Sequence, residues 1–160
     1  MLLLIFHVEK ERYGLEAKQV VEVVPKVVLK AVPHAPHYVA GLSNYRGNIV
    51  PVVDLSALIA DTPCKPLLST RIIFVEYLGE NGDEHILGLM AERVTETLAC
   101  REEDFSPPGI VTPEGVYLGD IFVDEEGMIQ RIKIEAVLPE SLRRSLFVSN
   151  EEGADALPGY

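Results

Sequence analysis

The chain consists of short apolar runs that are rich in Val and Ile and are separated by Gly, Pro and Asn. Such runs are typical of short β-strands bounded by turns. Between two of these runs, Pro33, Pro36 and Gly41 predict a bend. In the first third of the chain the pattern predicts strands at Leu2–Glu9, Tyr13–Leu15, Val23–Leu29 and Ile49–Val53.

The second half of the chain predicts two hairpins and one helix. The first hairpin pairs Arg71–Leu78 with His85–Met90 across a polar, Gly-containing turn. The second pairs Val116–Val123 with Met128–Ile134. A Pro in the first turn favours a helix over 139–148. The polar sequence after it predicts a flexible tail over 149–160.

An internal repeat indicates how these strands are organised. Residues 14–22 and 88–96 share Gly, Leu, Ala, Val and Glu at a constant offset of 74, and a weaker similarity follows at an offset of 79. Chance similarity among apolar strands is the alternative explanation. The repeat favours two related β subdomains within one domain over 1–148, with a groove between them. The first subdomain is predicted to comprise 12–68, and the second 1–11 with 69–138.

Charge is distributed unevenly along the chain. Residues 1–80 carry eight Lys or Arg and eight Asp or Glu, whereas residues 81–160 carry six and seventeen. Neither half offers the basic face that nucleic-acid binding needs, and the acidic half disfavours anionic membrane surfaces. Two cysteines without a cluster fit a reducing compartment, and no apolar run approaches a membrane span. We therefore expect a cytoplasmic protein without membrane insertion.

Few residues suggest catalytic or metal chemistry. His34 and His37 form the one close histidine pair, and Asp54 precedes a short apolar segment at the position of a helix N-cap. A zinc site usually needs three or four ligands, so the histidines are interpreted as exposed loop residues. The sequence predicts no catalytic residues, no metal and no cofactor. A small metal-dependent hydrolase using His34, His37 and Asp54 is the remote alternative.

The most specific motif spans residues 44–55 and reads Asn-Tyr-Arg-Gly-Asn-Ile-Val-Pro-Val-Val-Asp-Leu. It resembles the signature of the CheW-like family, in which Asn44, Gly47, Pro51 and Asp54 are motif positions. Tyr45 departs from the family pattern, where Leu is commoner. The lead-in over 32–41 and the repeated segments extend the resemblance over residues 2–138.

The resemblance implies a fold and a function. Members of this family fold as two five-stranded β-barrel subdomains that share a core. They are non-enzymatic adaptors of bacterial chemotaxis, associated with receptor arrays at the inner membrane. Their partners are the cytoplasmic tip of chemoreceptors and the regulatory domain of a CheA-type histidine kinase. The receptor is expected in the groove between the subdomains. An adaptor of a non-chemotactic pathway, such as surface sensing with cyclic-di-GMP output or pilus motility, is the alternative within the family.

The resemblance also implies binding residues. Arg46 either contacts a partner or holds its own subdomain together, and both interpretations stay open at this stage. Thr97 occupies a position where an aliphatic residue is frequent. The neutral first subdomain is expected to carry the kinase contact, and the acidic half to line the groove rim and select receptors by charge. The predicted receptor groove contains Val20, Gly41, Arg46, Ile72, Val94 and Thr97, and the predicted kinase contact contains Val50, Leu55 and Leu58.

Overall fold

A computed structural model describes residues 1–79 and 82–143 of the chain. Within these residues it contains nine strands and two short α-helices, which confirms the all-β fold class. No helix in this part of the chain is long and apolar enough to cross a membrane. The strands are β1 Leu2–Val8, β2 Glu11–Glu16, β3 Val20–Pro25, β4 Val39–Tyr45, β5 Asn48–Asp54, β6 Arg71–Leu78, β7 Glu84–Ala99, β8 Leu118–Asp124 and β9 Gly127–Ile132, and the helices are α1 Leu55–Ala60 and α2 Glu140–Arg143.

The strands form two five-stranded arrays that share the long strand β7. The N-terminal part of β7 pairs with β5 and β6, while its C-terminal part pairs with β1. We call β3, β4, β5, β6 and the N-terminal part of β7 the central half. The terminal half comprises β1, β2, β8, β9 and the C-terminal part of β7. Neither array closes into a complete barrel through the ladders of the described residues, so the halves are open five-stranded sheets.

Strand pairing crosses the predicted subdomain boundaries. β2, which was expected in the first subdomain, pairs with β1 and β9. β6, which was expected in the second, pairs with β3 and β7. The central half is therefore one continuous stretch of the chain, inserted between β2 and the C-terminal part of β7. The internal repeat alone did not predict this boundary, because strand neighbours are set by tertiary packing.

The internal repeat is confirmed by the pairing register. Gly14 lies opposite Arg131 in the parallel pair of β2 and β9. Gly88 lies opposite Val52 in the parallel pair of β7 and β5. Positions 14 and 88 have the offset of 74, and positions 52 and 131 have the offset of 79. The two halves are therefore structurally equivalent, and a position in one can be compared with its counterpart in the other.

One hydrophobic cluster joins the two halves. Phe6 and Leu15 reach it from the terminal half, and Val53 and Leu55 reach it from the central half and the helix that follows. Each of these four side chains is fully buried. Burying a side chain of this size contributes about 1.5–3 kcal/mol, so separating the halves would expose a large apolar area. The shared core fixes the halves as one folding unit.

Most local predictions agree with the structure. Both hairpins form, as β6 with β7 and β8 with β9. The predicted bend is different, because β4 already begins at Val39 and pairs with β5. β7 continues to Ala99, beyond the predicted strand end at Met90, because β1 offers its C-terminal part a second partner. The predicted helix begins at Glu140 and is described to Arg143, whereas residues 144–160, including the expected tail, lie outside the described residues.

Candidate partner-binding site

The motif over residues 44–55 begins with a tight hairpin turn between β4 and β5. Arg46 and Gly47 both have positive φ, at 51° and 84°, and Tyr45 pairs with Asn48 on either side of them. Two central residues with positive φ are the mark of a type I′ turn, which matches the twist of the flanking strands. The side-chain Oδ1 of Asn44 accepts a hydrogen bond from the backbone N–H of Gly47 at 3.1 Å. Asn44 and Gly47 thus shape the turn that presents Arg46.

Arg46 forms an ion pair with Glu22 of β3. Its Nη2 donates to Oε1 of Glu22 at 2.5 Å, and the hydroxyl of Tyr45 donates to the same oxygen at 3.1 Å. The Arg46 side chain is nevertheless 69% exposed. Exposed ion pairs contribute between zero and about 1 kcal/mol, so this contact can be exchanged for one with a partner. Arg46 thus bridges two strands of its own half, and a contact with a partner stays a prediction that its exposure permits.

These contacts close a seam between β3 and β4. We define the central seam as the gap between β3, with the segment that follows it, and β4. Among the described residues, its backbone bridge is formed by Lys30 and Leu42, which exchange two hydrogen bonds of 2.9 and 2.8 Å. Tyr45 and Arg46 join the far end of the seam to Glu22.

Gly41 allows the close approach at the bridged end of this seam. It has a φ of +149°, and a Cβ at this position would lie 2.6 Å from the carbonyl oxygen of Lys30. No side chain fits at that distance without a shift of the backbone. The close approach at Gly41 is therefore to backbone of its own half, which makes Gly41 a structural position in the seam.

The other predicted groove residues differ in accessibility. Ile72 is fully buried and Val94 is 4% exposed, because both pack into hydrophobic clusters. Val20 is half-buried at the start of β3, and Thr97 is exposed on the C-terminal part of β7. Direct contact with a partner is therefore open to Val20, Arg46 and Thr97, whereas Ile72 and Val94 support the surface from below.

The predicted kinase-contact residues are also mostly buried. Val50 is 3% exposed and Leu55 is fully buried, since both belong to hydrophobic clusters. Leu58 is half-buried and lines a groove of about 620 Å³. The walls of this groove include Tyr38 beside α1 and Tyr117 before β8, which are related by the repeat offset of 79. The structure thus contains a groove between the two halves, and Leu58 is the predicted kinase-contact residue that reaches it.

Pro51 and Asp54 have structural positions within the motif. Pro51 is buried in β5, one residue before the pairing with β7 begins at Val52, so its missing N–H interrupts no hydrogen bond to β7. Asp54 is the N-cap of α1, and its Oδ1 accepts from the backbone N–H of Ala57 at 3.0 Å. Its Oδ2 accepts from the backbone N–H of Cys64 at 2.9 Å. Both oxygens of this buried carboxylate therefore hold backbone in place.

The residues of the hydrolase alternative do not assemble into a site. His34 is exposed, and Nε2 of His37 lies 3.0 Å from Oδ1 of Asp61. The described residues contain no group of three His, Cys, Asp or Glu side chains that could hold a metal ion. Burial raises the pKa of the Cys64 thiol to about 12, which keeps it protonated and a poor nucleophile. The metal-dependent alternative is not favoured.

Sequence reasoning did not select Glu22 or Tyr45 as site residues. Glu22 belongs to the internal repeat, and Tyr45 is the one departure from the motif, so both were visible in the sequence. Their roles depend on the pairing of β3 with β6, because Phe74 of β6 lies opposite Glu22 and supports the ring of Tyr45. That neighbourhood is created by the tertiary fold.

Comparison with known proteins identifies relatives over nearly the whole chain. The CheW-like domain family matches residues 2–141. The chemotaxis protein CheW of Rhizobium meliloti is 26% identical over 145 residues, which cover 89% of this chain and 90% of that protein. The chemotaxis protein CheW of Helicobacter pylori is 24% identical over 134 residues, with coverages of 83% and 78%.

A solved structure has the same architecture. The crystal structure of the scaffolding protein TtCheW from Thermoanaerobacter tengcongensis matches with a TM-score of 0.76 and 30% sequence identity. The match covers 86% of this chain and 87% of that one. The similarity therefore spans both halves.

Proposed function

The chain belongs to the CheW-like family, and on that premise we propose that it is a non-enzymatic adaptor that couples chemoreceptors to a CheA-type histidine kinase. The observation that carries this proposal is the family match over residues 2–141, which includes both halves. Chemotaxis signalling is the process in which the adaptor acts, and scaffolding is its contribution. The related proteins named as CheW support the chemotactic role over surface sensing or pilus motility.

The proposed receptor contact is made by those predicted receptor-groove residues that solvent can reach. Arg46 presents a planar guanidinium on a rigid turn, which suits hydrogen bonding to carboxylate or carbonyl groups of a receptor helix. Val20 and Thr97 supply half-buried and exposed contact area. Ile72 and Val94 act indirectly, because their packing fixes the strands that carry the contact residues. Such recognition of a helix combines apolar anchors with a polar rim.

The proposed kinase contact uses the groove between the halves, where the receptor was expected, because the residues predicted for the receptor do not line this groove. Leu58 lines this groove from α1, and Tyr38 and Tyr117 flank it from equivalent positions. Val50 and Leu55 support α1 and β5 from the core. Separate surfaces for receptor and kinase would let the adaptor hold both at once. Repetition of these contacts in an array raises their effective concentration, so each contact can be weak.

The receptor contact is tested by the Arg46→Ala variant. We expect it to weaken binding of a receptor cytoplasmic fragment by about tenfold or more, because a charge-assisted contact is lost. Arg101→Ala is the matched control, since Arg101 is 72% exposed and is likewise ion-paired with carboxylates. Binding is measured by titration of the purified receptor fragment, and the fold is checked by thermal unfolding.

The result separates a local contact from a general charge effect. Weaker binding in Arg46→Ala with unchanged binding in Arg101→Ala supports the proposal. Equal effects of the two variants would refute a contact at Arg46. A purified kinase regulatory domain is titrated in parallel with Leu58→Ala, which we expect to weaken that complex while leaving receptor binding intact.

A further inference from the structure

Tyr45, at the end of the β4–β5 hairpin, is anchored by aromatic stacking. Its ring stacks on Phe74 of β6, with 4.0 Å between ring centroids and 20° between ring planes. The ring is half-buried and packs against the hydrophobic cluster that contains Phe74. Stacked aromatic pairs contribute beyond their buried area. The position of the phenolic oxygen is therefore fixed by the core.

Tyr45 and Arg46 donate to the same carboxylate oxygen. The Tyr45 hydroxyl lies 3.1 Å from Oε1 of Glu22, and Nη2 of Arg46 lies 2.5 Å from it. The Arg46 guanidinium also lies over the Tyr45 ring, 5.2 Å from its centroid. Glu22 thus has one donor that is fixed by stacking and a second donor that extends into solvent.

Arg46 is accessible to a partner, whereas the Tyr45 hydroxyl is held in place by stacking. The Arg46 side chain is 69% exposed, whereas that of Glu22 is 36% exposed. When a partner group recruits Arg46, Glu22 loses its charged donor. A partly buried carboxylate that is left without a donor costs free energy, and this cost would oppose binding. A second, stationary donor reduces it.

We propose that Tyr45 is a positioning and specificity-determining residue, whose hydroxyl keeps Glu22 in place while Arg46 turns from Glu22 to an acidic or carbonyl group of the partner. The inference rests on the proposed function, because it needs Arg46 to contact a partner. It also explains a sequence difference, since the Leu that is common at this motif position has no hydroxyl. Burial and the bond to Glu22 raise the pKa of Tyr45, so the hydroxyl remains a donor at neutral pH.

The Tyr45→Phe variant tests this inference because it keeps the stacked ring and removes the hydroxyl. We expect receptor-fragment binding to weaken about fivefold, the factor that corresponds to one ordinary hydrogen bond. Tyr45→Leu, the residue usual in the family, should weaken binding at least as much. Tyr13→Phe is the matched control, because Tyr13 is another half-buried tyrosine stacked on a phenylalanine, in the terminal half.

The Arg46→Ala background shows whether Tyr45 acts through Arg46. In that background we expect Tyr45→Phe to cause no further loss, because there is no guanidinium left to release. A purely structural role would weaken binding by the same factor in both backgrounds and would overturn the inference. Unchanged binding in Tyr45→Phe, with Arg46→Ala still weakened, would also overturn it and leave the proposed function standing. Unchanged binding in Arg46→Ala would instead refute the proposed receptor contact.

Discussion

The two halves contain the same backbone bridge next to an edge strand but differ in the side chains around it. In the central half, Lys30 exchanges two backbone hydrogen bonds with Leu42. In the terminal half, Ser106 does the same with Ile121 at 2.9 and 2.8 Å. Leu42 and Ile121 are related by the repeat offset of 79, so the bridges are equivalent. The frame is therefore shared, and the difference between the halves lies in their side chains.

Arginine use is the clearest of these differences. In the terminal half, the side chains of Arg12 and Arg131 are 10% and 14% exposed. Arg12 pairs with Asp124, and Arg131 with Glu102, while its guanidinium lies 4.3 Å from the Phe105 ring centroid. In the central half, the motif arginine at position 46 is mostly exposed and pairs with a single carboxylate.

This contrast accounts for part of the acidic excess in residues 81–160. Several of the acidic residues in 81–160 serve as internal partners of buried arginines, so part of the acidic excess holds the terminal half together. The central half leaves Arg46 available at the surface. A duplicated frame thus carries a stabilising network in one half and, in the proposed function, a binding site in the other.

Among these variants, Gly41→Ala should cause the largest loss in the free energy of unfolding. The new Cβ would lie 2.6 Å from the carbonyl oxygen of Lys30, at a φ that L-residues rarely adopt. We expect a loss of about 3 kcal/mol or more in the free energy of unfolding, measured by urea denaturation. Gly47→Ala is the control, because it has positive φ but nothing within 4 Å of its Cβ, and should cost about 1 kcal/mol. Equal losses would mean that the central seam tolerates a wider gap.

Arg12→Ala should destabilise the protein more than Arg46→Ala. Removing the buried Arg12 leaves Asp124 without its charged donor and also removes a bond to the Gly127 carbonyl. We expect a loss of about 2 kcal/mol for Arg12→Ala and less than about 1 kcal/mol for Arg46→Ala. Urea denaturation of the two variants measures both values. If the two losses are the same, the assignment of a stabilising and a binding arginine is wrong.

A smaller effect is expected in the pH dependence of the terminal half. The hydrogen bond from Arg12 lowers the pKa of Asp124 below its ordinary value of 3.8. A carboxylate with a lowered folded-state pKa stabilises the protein above its ordinary pKa, and this contribution is lost as pH falls through the folded-state pKa. The stability difference between the unmodified chain and Asp124→Asn should therefore be full near neutral pH and shrink below pH 3.8.

The control for this titration is the Arg12→Ala background. Without the guanidinium, Asp124→Asn should produce a stability difference that varies much less with pH. Urea denaturation at a series of pH values provides the comparison. A difference that persists unchanged at low pH would show that Arg12 does not set the acid sensitivity of this half.

Local structure was largely predictable from the sequence. Alternating and β-branched runs predicted the hairpins. Asn44 and Gly47 are also residue types that favour a turn, because Gly adopts positive φ and the Asn side chain bonds to the turn backbone. The N-cap at Asp54 followed from residue type and position. Each of these features depends on interactions within a few residues. The β4 strand was missed because Pro33 and Pro36 precede it closely and mask a strand that needs β5 as its partner.

The site was less predictable because burial is a tertiary property. An apolar residue such as Ile72 or Val94 has the same sequence signature whether it faces a groove or the core. The role of Glu22 required the pairing of β3 with β6, and that of Tyr45 required Phe74 beneath its ring.

The sequence by itself determined most of the strands, the duplicated pattern and the family. These depend on local backbone preferences and on residue order, which the chain carries without folding. The tertiary structure decided that the halves share β7, which apolar side chains are buried, and that Arg46 remains exposed while paired with Glu22. Those outcomes arise from contacts between residues far apart in the chain, where packing and desolvation, not local preference, set the free energy.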